Sequence, residues 1–220
     1  MPRTSGPTPP LEISELRLDA AAPLVLVDAD EVIALFMRGF ESFLSDEGLE
    51  MRIDRFALFQ NIYRPGEAAH IALEHGRALL HRFFGTGIEA VEPAPGAAEA
   101  LRRLAGEASI VILTNAPPHS REPRARWLVK HGFDYPQVVN AGPKGPTVRA
   151  LASLTGGRTA FVDDLLSQLD SAAEASPATA RFQMVADERL RPLAPCAPDR
   201  HARIDDWEAL ARAIAAAIRG

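Results

Sequence analysis

Carboxylates, a hydroxyl, an amide and an ammonium stand at or just beyond the ends of short apolar runs in this 220-residue sequence. Leu24 to Val27 is followed by Asp28-Ala29-Asp30, Ile110 to Leu113 by Thr114-Asn115, and Thr159 to Val162 by Asp163-Asp164, while Lys144 lies in the loop after Val138 to Asn140. If the runs are neighbouring strands of one open parallel sheet, these residues face a common crevice. Carboxylates crowded there would raise one another's pKa unless a divalent cation neutralised them. A hard-oxygen donor set of this kind suits Mg²⁺, which takes a few carboxylates, waters and substrate phosphate. The chemistry that fits is phosphoryl transfer. One carboxylate attacks phosphorus to form an aspartyl-phosphate, while a second carboxyl group protonates the leaving oxygen and later activates water. Thr114, Asn115 and Lys144 would hold the equatorial phosphate oxygens. Each residue alone has a plainer use, as a turn, a helix cap or a surface charge. Their order and context argue for a shared site.

The elements that must position them follow from the same runs. Leu24 to Val27, Ile110 to Leu113, Val138 to Asn140, Thr159 to Val162 and Phe182 to Ala186 read as strands buried on both faces. Ala97 to Leu104, Glu122 to His131, Thr147 to Leu154, Leu165 to Ala175 and Trp207 to Ile218 read as the crossover helices between and after them. The expected architecture is α/β: a Rossmann-like three-layer sandwich with a parallel sheet, plus a small α-helical cap inserted after the first strand. The interval between the first two strands is far longer than a crossover needs. Within it, Phe36, Phe40, Phe43 and Leu44 make one helical stripe, and Ile71, Leu79, Leu80, Phe83 and Phe84 a second, predicting a helical module with its own small core. The organisation expected is a flexible tail over 1–20, a core domain over 21–35 and 92–220, and a cap over 36–91.

Composition limits the partners. With 47% hydrophobic residues, 24% charged and a net charge of -5, the chain can bury one good core and lacks the basic excess that a polyphosphate partner requires. Nucleic acid is therefore not expected. Cys196 is the only cysteine, so neither an internal disulfide nor a thiolate metal cage is available. No run of about 18 to 20 apolar residues suggests a membrane span, and MPRTSGPTPP has no signal-peptide core, so a cytoplasmic protein without a membrane partner is expected.

The stretches VLVDADEVI, IVILTNA, GPKGP and AFVDDLLSQLDSA, in that order, resemble the four motifs of the haloacid dehalogenase-like (HAD) superfamily over Leu24 to Ala186. The resemblance implies Asp28 as nucleophile and Asp30 as general acid/base, with Thr114 and Lys144 binding and stabilising the phosphoryl group. It implies Asp164 as a direct Mg²⁺ ligand, Asp163 acting through water, and Asp28 with the backbone carbonyl of Asp30 completing the metal's protein ligands. The insertion corresponds to a C1-type cap that closes over the site. Glu31 and Leu165 depart from the common motifs, which often read DxDGT in the first and continue with Ser or Gly in the fourth. Because halide leaves without a proton and phosphate ester cleavage needs one, Asp30 favours a phosphatase over a dehalogenase. A fainter resemblance to 5′-deoxyribonucleotidases lies in RARWLVKHGF and RIDDWEAL, which points to a nucleoside monophosphate among small phosphorylated metabolites.

Further assignments concern the cap. Asn61, Tyr63 and Arg64 precede the Pro65-Gly66 turn, and Arg64 is the candidate there for pairing with an acidic part of the substrate. His70, His75 and His81 lack the i, i+4 spacing of a helical metal pair and read as surface residues. The aromatic stripe of the first cap helix reads as core or as a homodimer contact. A phosphomutase or phosphotransferase, and a catalytically silent binding protein of the same fold, are the alternatives to the phosphatase.

Overall fold

The computed structural model of the chain describes residues 12–220. The strands β1 (Leu24–Val27), β4 (Ser109–Thr114), β5 (Gln137–Val139), β6 (Thr159–Asp163), β7 (Ala180–Gln183) and β8 (Ala202–Arg203) form one parallel sheet in the order β5-β4-β1-β6-β7-β8. β1 is central, paired with β4 on one side and β6 on the other, from Leu24 opposite Ser109 and Thr159 to Val27 opposite Ile112 and Val162. A strand buried on both faces needs apolar residues at every position, and LVLV supplies them. Val25 and Val27 pack into the cluster that holds Leu101, Trp127 and Leu210, whereas Leu24 and Leu26 pack with Val148, Leu151 and Leu169 on the opposite face. Those two faces carry α3 (Ala97–Leu104), α4 (Arg121–Lys130) and α7 (Trp207–Arg219) on one side, and α5 (Gly145–Ala152) and α6 (Leu166–Ala175) on the other. This is the three-layer sandwich expected.

Helix ends follow local chemistry. α3 begins after Gly96, whose φ of +78° is a left-handed turn that glycine adopts without strain, and Ala97, Ala100, Leu101 and Leu104 form its buried stripe. α7 is capped by Asp206, whose carboxylate accepts from the Ala209 N–H at 2.8 Å. Gly145 opens α5 where only a hydrogen fits, because a Cβ there would lie 2.1 Å from the Ser171 carbonyl oxygen on α6. That close approach locks the loop carrying Lys144 against the helix that follows Asp163 and Asp164.

Residues 36–91 contain α1 (Phe36–Asp46), α2 (Leu73–Thr86) and a two-stranded hairpin of β2 (Glu50–Met51) and β3 (Ile62–Tyr63). The hairpin was not legible in the sequence, since two-residue strands carry no periodicity. Phe36, Phe40, Phe43, Phe83 and Phe84 stack together, with Phe36 and Phe83 edge to face at 5.3 Å between centroids. The stripe is thus packed internally. It is not a separate core, because these residues are continuous with the buried cluster of the sheet's α3, α4 and α7 face. The two crossings between insertion and sheet run side by side: the Leu35 N–H donates to the Glu92 carbonyl at 2.9 Å and the Ala94 N–H to the Ile33 carbonyl at 2.8 Å. Each crossing is also pinned by an indole, Trp127 Nε1 to the Val91 carbonyl at 2.7 Å and Trp207 Nε1 to the Val32 carbonyl at 3.0 Å. These tryptophans lie in the RARWLVKHGF and RIDDWEAL segments, so both stretches have a structural reason for their aromatic residue.

Other expectations shift. β7 ends at Gln183 instead of Ala186, because the chain bends away so that the Val185 N–H meets Asp205 and the Ala186 N–H meets the Glu31 carbonyl. The expected tail over 1–20 falls partly outside the described residues, and Leu16 is already buried against the face of α5 and α6, so packed chain begins before residue 20. His70 lies ahead of α2 and not on it; His70, His75 and His81 are all exposed. No helix among the described residues is long and apolar enough to cross a membrane.

Candidate active site

At the carboxyl ends of β1, β4 and β6, the loops bring Asp28, Asp30, Thr114, Asn115, Lys144, Asp163 and Asp164 to one cavity of about 340 Å³. β1 lies between β4 and β6, at the point where connections leave the sheet in opposite directions, so its end opens a crevice instead of being covered. The Asp28 N–H continues the ladder by donating to the Val162 carbonyl at 3.0 Å, which fixes its side chain opposite Asp163 and Asp164. Carboxylate oxygens of Asp28, Asp163 and Asp164 all lie within 4.8 Å of one another, and all three residues are buried.

Lys144 bridges two of them. Its Nζ is 2.6 Å from Asp28 Oδ1 and 2.7 Å from Asp163 Oδ2, with only 2% of the lysine side chain exposed. Burial works against the ammonium, but the Asp163 and Asp28 carboxylates outweigh it and hold the group charged. Both oxygens of Asp163 are engaged, because Oδ1 also accepts from the N–H of Leu165, the residue before α6, at 3.0 Å. Asp164 differs: among the described residues no donor reaches its carboxylate. Burial, followed by the charges of Asp163 and Asp28, drives its pKa well above the ordinary 3.8. One ammonium among three buried carboxylates leaves an excess of negative charge directed at a common point, which is the environment a hard divalent cation relieves. The donor set therefore fits Mg²⁺, with Asp28 and Asp164 offering free oxygens and Asp163 held by Lys144.

Asp30 faces a partner that sequence reasoning missed. Its Oδ1 is ion-paired with Nη2 of Arg124, a fully buried residue of α4 whose guanidinium also lies 5.4 Å from the Trp127 ring. Among the described residues, Nε and Nη1 of Arg124 have no hydrogen-bond partner. Burial raises the Asp30 carboxyl, against the opposing pull of Arg124. The Asp30 side chain thus lines the same cavity as the three-carboxylate cluster but is tied to α4. An Arg in a helix with polar neighbours gives no signal that it reaches a residue 94 positions earlier.

The other expected contacts divide. Thr114 is buried at the cavity, its Oγ1 accepting from the Ala116 N–H at 3.3 Å. Asn115 lines the cavity, but its amide is engaged elsewhere: Nδ2 donates to the Gly142 carbonyl at 2.9 Å and Oδ1 accepts from Asn140 at 2.8 Å. That side chain pins the Lys144 loop instead of reaching for phosphate. The expectation for Arg64 fails. Arg64 lies on the exposed side of the turn beside Glu67 and does not line the cavity, because Gly66 with φ +80° turns the chain outward there. Asn61 and Tyr63 are likewise away from it; Asn61 Nδ2 instead holds the Arg55 and Ala57 carbonyls at 3.0 and 2.7 Å.

Glu31 is the second residue that sequence reasoning underused. It adopts φ 59°, which costs a non-glycine residue about 1–3 kcal/mol. Its buried carboxylate compensates by accepting from the Met37 N–H at 2.7 Å and the Asp187 N–H at 3.1 Å, and burial raises its pKa to about 7. Glu31 thereby ties the turn after Asp30 to the start of α1 and to the loop after β7.

No protein-family model matches the chain, and no curated protein does. Solved structures do. A conserved haloacid dehalogenase-like protein from Agrobacterium tumefaciens superposes with a TM-score of 0.58 at 18% identity, covering 88% of this chain and 97% of that one. A Bacillus subtilis protein that carries the name of a HAD-hydrolase and was solved bound to magnesium gives 0.56 at 15% identity, covering 88% and 99%. A protein from Haemophilus somnus named as a phosphoglycolate phosphatase gives 0.56 at 14% identity, covering 86% and 96%. The chain has the haloacid dehalogenase-like fold.

Proposed function

We propose that this chain, with its haloacid dehalogenase-like fold, is a phosphoric monoester hydrolase that takes Mg²⁺ as cofactor and acts on a small phosphorylated metabolite. The observation that carries the reading is the set of three buried carboxylates within 4.8 Å of one another, two of them bridged by Lys144. Asp28, Asp164 and the backbone carbonyl of Asp30 would hold the cation, and Asp163 would assist them through water. When bound, Mg²⁺ screens the attacking carboxylate from the negative phosphoryl group and withdraws charge from its oxygens.

The chain's own residues carry the steps. A carboxylate oxygen of Asp28 forms a bond to phosphorus as the ester P–O bond breaks, and the leaving oxygen takes a proton from Asp30. Lys144 and the Thr114 hydroxyl hold the phosphoryl oxygens as charge spreads over them. Asn115 acts at one remove, by fixing the loop that presents Lys144. Water then gives its proton to Asp30 and attacks the aspartyl-phosphate, the bond to Asp28 breaks, and inorganic phosphate leaves. Arg124 is a positioning residue: it fixes one oxygen of Asp30 and leaves the other for the leaving group. A nucleoside monophosphate is one metabolite of suitable size.

The test is release of inorganic phosphate from p-nitrophenyl phosphate with and without Mg²⁺. Turnover is expected only with the metal, and Asp28→Asn is expected to lower it on the order of 10⁴-fold or more. Transfer of phosphate between positions of a sugar with little net release would favour the phosphomutase instead. Full turnover by Asp28→Asn would overturn the assignment.

A further inference from the structure

Besides the carboxylates, Lys144, Thr114, Asn115 and Gln168, the cavity is lined by Phe36, Met37, Phe56, Leu58, Leu165 and Leu190. These come from α1, from the loop between β2 and β3, from the start of α6 and from the loop after β7, so four separate parts of the chain present apolar groups to one space. Among the described residues, Lys144 is the one cation lining the cavity, and Asp28 and Asp163 already engage it. Asp30 and Glu31 also line it, Asp30 paired with Arg124 and Glu31 turned to the Met37 and Asp187 N–H groups, so neither supplies a cation for a substrate anion. Leu165 stands 40% exposed at this wall. The wall is also held in place, because Asn61 Nδ2 clamps the Arg55 and Ala57 carbonyls on either side of Phe56.

We infer that the substrate's leaving group is an uncharged, predominantly apolar alcohol, alkyl or aryl, without a second anionic group. The inference rests on the phosphatase reading and names the substrate class of that same site. A phosphate monoester places its dianion at the only end that offers a cation and a metal site, and its carbon body against the apolar wall. A second carboxylate or phosphate on the substrate would be buried without a cation to pair with, which is costly. A sugar chain of hydroxyls would lose its water to a lining that is mostly apolar and offers few side chains to bond it. Burial of an apolar body, by contrast, is favourable in proportion to the area removed from water.

The experiment compares benzyl and hexyl phosphate with glycerol 3-phosphate, glucose 6-phosphate, adenosine monophosphate and phosphoglycolate, all esters of alcohols, under saturating Mg²⁺. Benzyl and hexyl phosphate are expected to exceed glycerol 3-phosphate and phosphoglycolate by at least about tenfold in kcat/KM. Leu58→Arg, and Leu165→Arg should the first variant fold poorly, are expected to narrow or reverse that ratio by raising activity on phosphoglycolate. Binding of benzylphosphonate and phosphonoacetate, read as a thermal shift, supplies a measure independent of turnover, and benzylphosphonate is expected to give the larger shift. Hydrolysis that favours phosphoglycolate, glycerol 3-phosphate, glucose 6-phosphate or adenosine monophosphate would overturn the inference and leave the phosphatase standing. If no ester is hydrolysed the phosphatase reading fails, and the phosphonates then decide the pocket: a preference for phosphonoacetate, or binding of neither, overturns the inference.

Discussion

Lys144 ties Asp28 to Asp163 on the floor of the cavity with contacts of 2.6 and 2.7 Å, whereas residues 36–91 meet the same space with Phe36, Met37, Phe56 and Leu58. The floor is a set of charges held by strand ends, and each position is fixed by backbone registers such as Val27 opposite Val162 and Ile112. The roof is held by packing among phenylalanines and by one buried amide, Asn61. Charges at strand ends can perform one kind of chemistry and tolerate little change. A packed apolar roof can be rebuilt in many ways of similar volume. The comparison implies that reaction class resides in the floor and selectivity in the roof.

The largest effect that would break this division is expected at Asp164. Asp164→Asn removes a carboxylate that no donor among the described residues satisfies, so metal binding and Mg²⁺-dependent turnover should both fall on the order of 100-fold or more. Stability gives a second readout. The native Asp164 carboxyl is raised above the ordinary 3.8, so the folded protein holds a proton that the unfolded chain releases. Metal-free stability should therefore decline as pH rises from that ordinary value toward the raised one, and Mg²⁺ should lessen the decline. Asp164→Asn should make the metal-free profile shallower, leaving the share that Glu31 contributes, and remove the Mg²⁺-induced rise in Tm. A variant that keeps its Mg²⁺ shift would show that the floor does not gather a cation.

A smaller effect is expected at Arg124, which lies behind the floor. Arg124→Met keeps the bulk over Trp127 but frees Asp30, and misplacing an acid/base group costs roughly 10- to 100-fold in kcat. KM should hardly move. Arg124→Lys should recover part of the loss, and the pH dependence of kcat should shift in the Met variant because the charge beside Asp30 is gone. Loss of stability alone would lower the active fraction without displacing that profile.

The same contrast explains what the sequence disclosed. β1, α3 and the starts of β6 and α7 were legible to the residue, because each is a buried run or stripe with its stop signal next to it. The floor was legible for the same reason, since every acid follows an apolar run directly. The roof was not. Its Phe56 and Leu58 belong to an irregular loop whose path depends on two bonds from Asn61, and nothing in their spacing tells which side faces the cavity. Arg64 was the natural candidate by charge, yet Gly66 at φ +80° carries that turn outward. Arg124 was hidden by distance along the chain, and β8 by its brevity.

The smallest effects separate the roof's residues from one another. Asn61 is fully buried, and Asn61→Ala leaves the Arg55 and Ala57 carbonyls without their donor, a loss of about 1–3 kcal/mol that loosens the loop bearing Phe56. If even 1 kcal/mol of that falls on the bound state, KM for an apolar ester should rise by about fivefold while kcat is kept. Arg64→Ala, three residues further on, removes only a solvent-exposed pairing with Glu67 at 3.7 Å, and exposed pairs contribute little. Its kinetics on every ester should match the parent within about twofold. The pair of variants therefore tests whether the roof acts through the shape that Asn61 maintains or through the charge that Arg64 carries; a rise in KM for anionic esters in Arg64→Ala, with Asn61→Ala unchanged, would assign selectivity to charge.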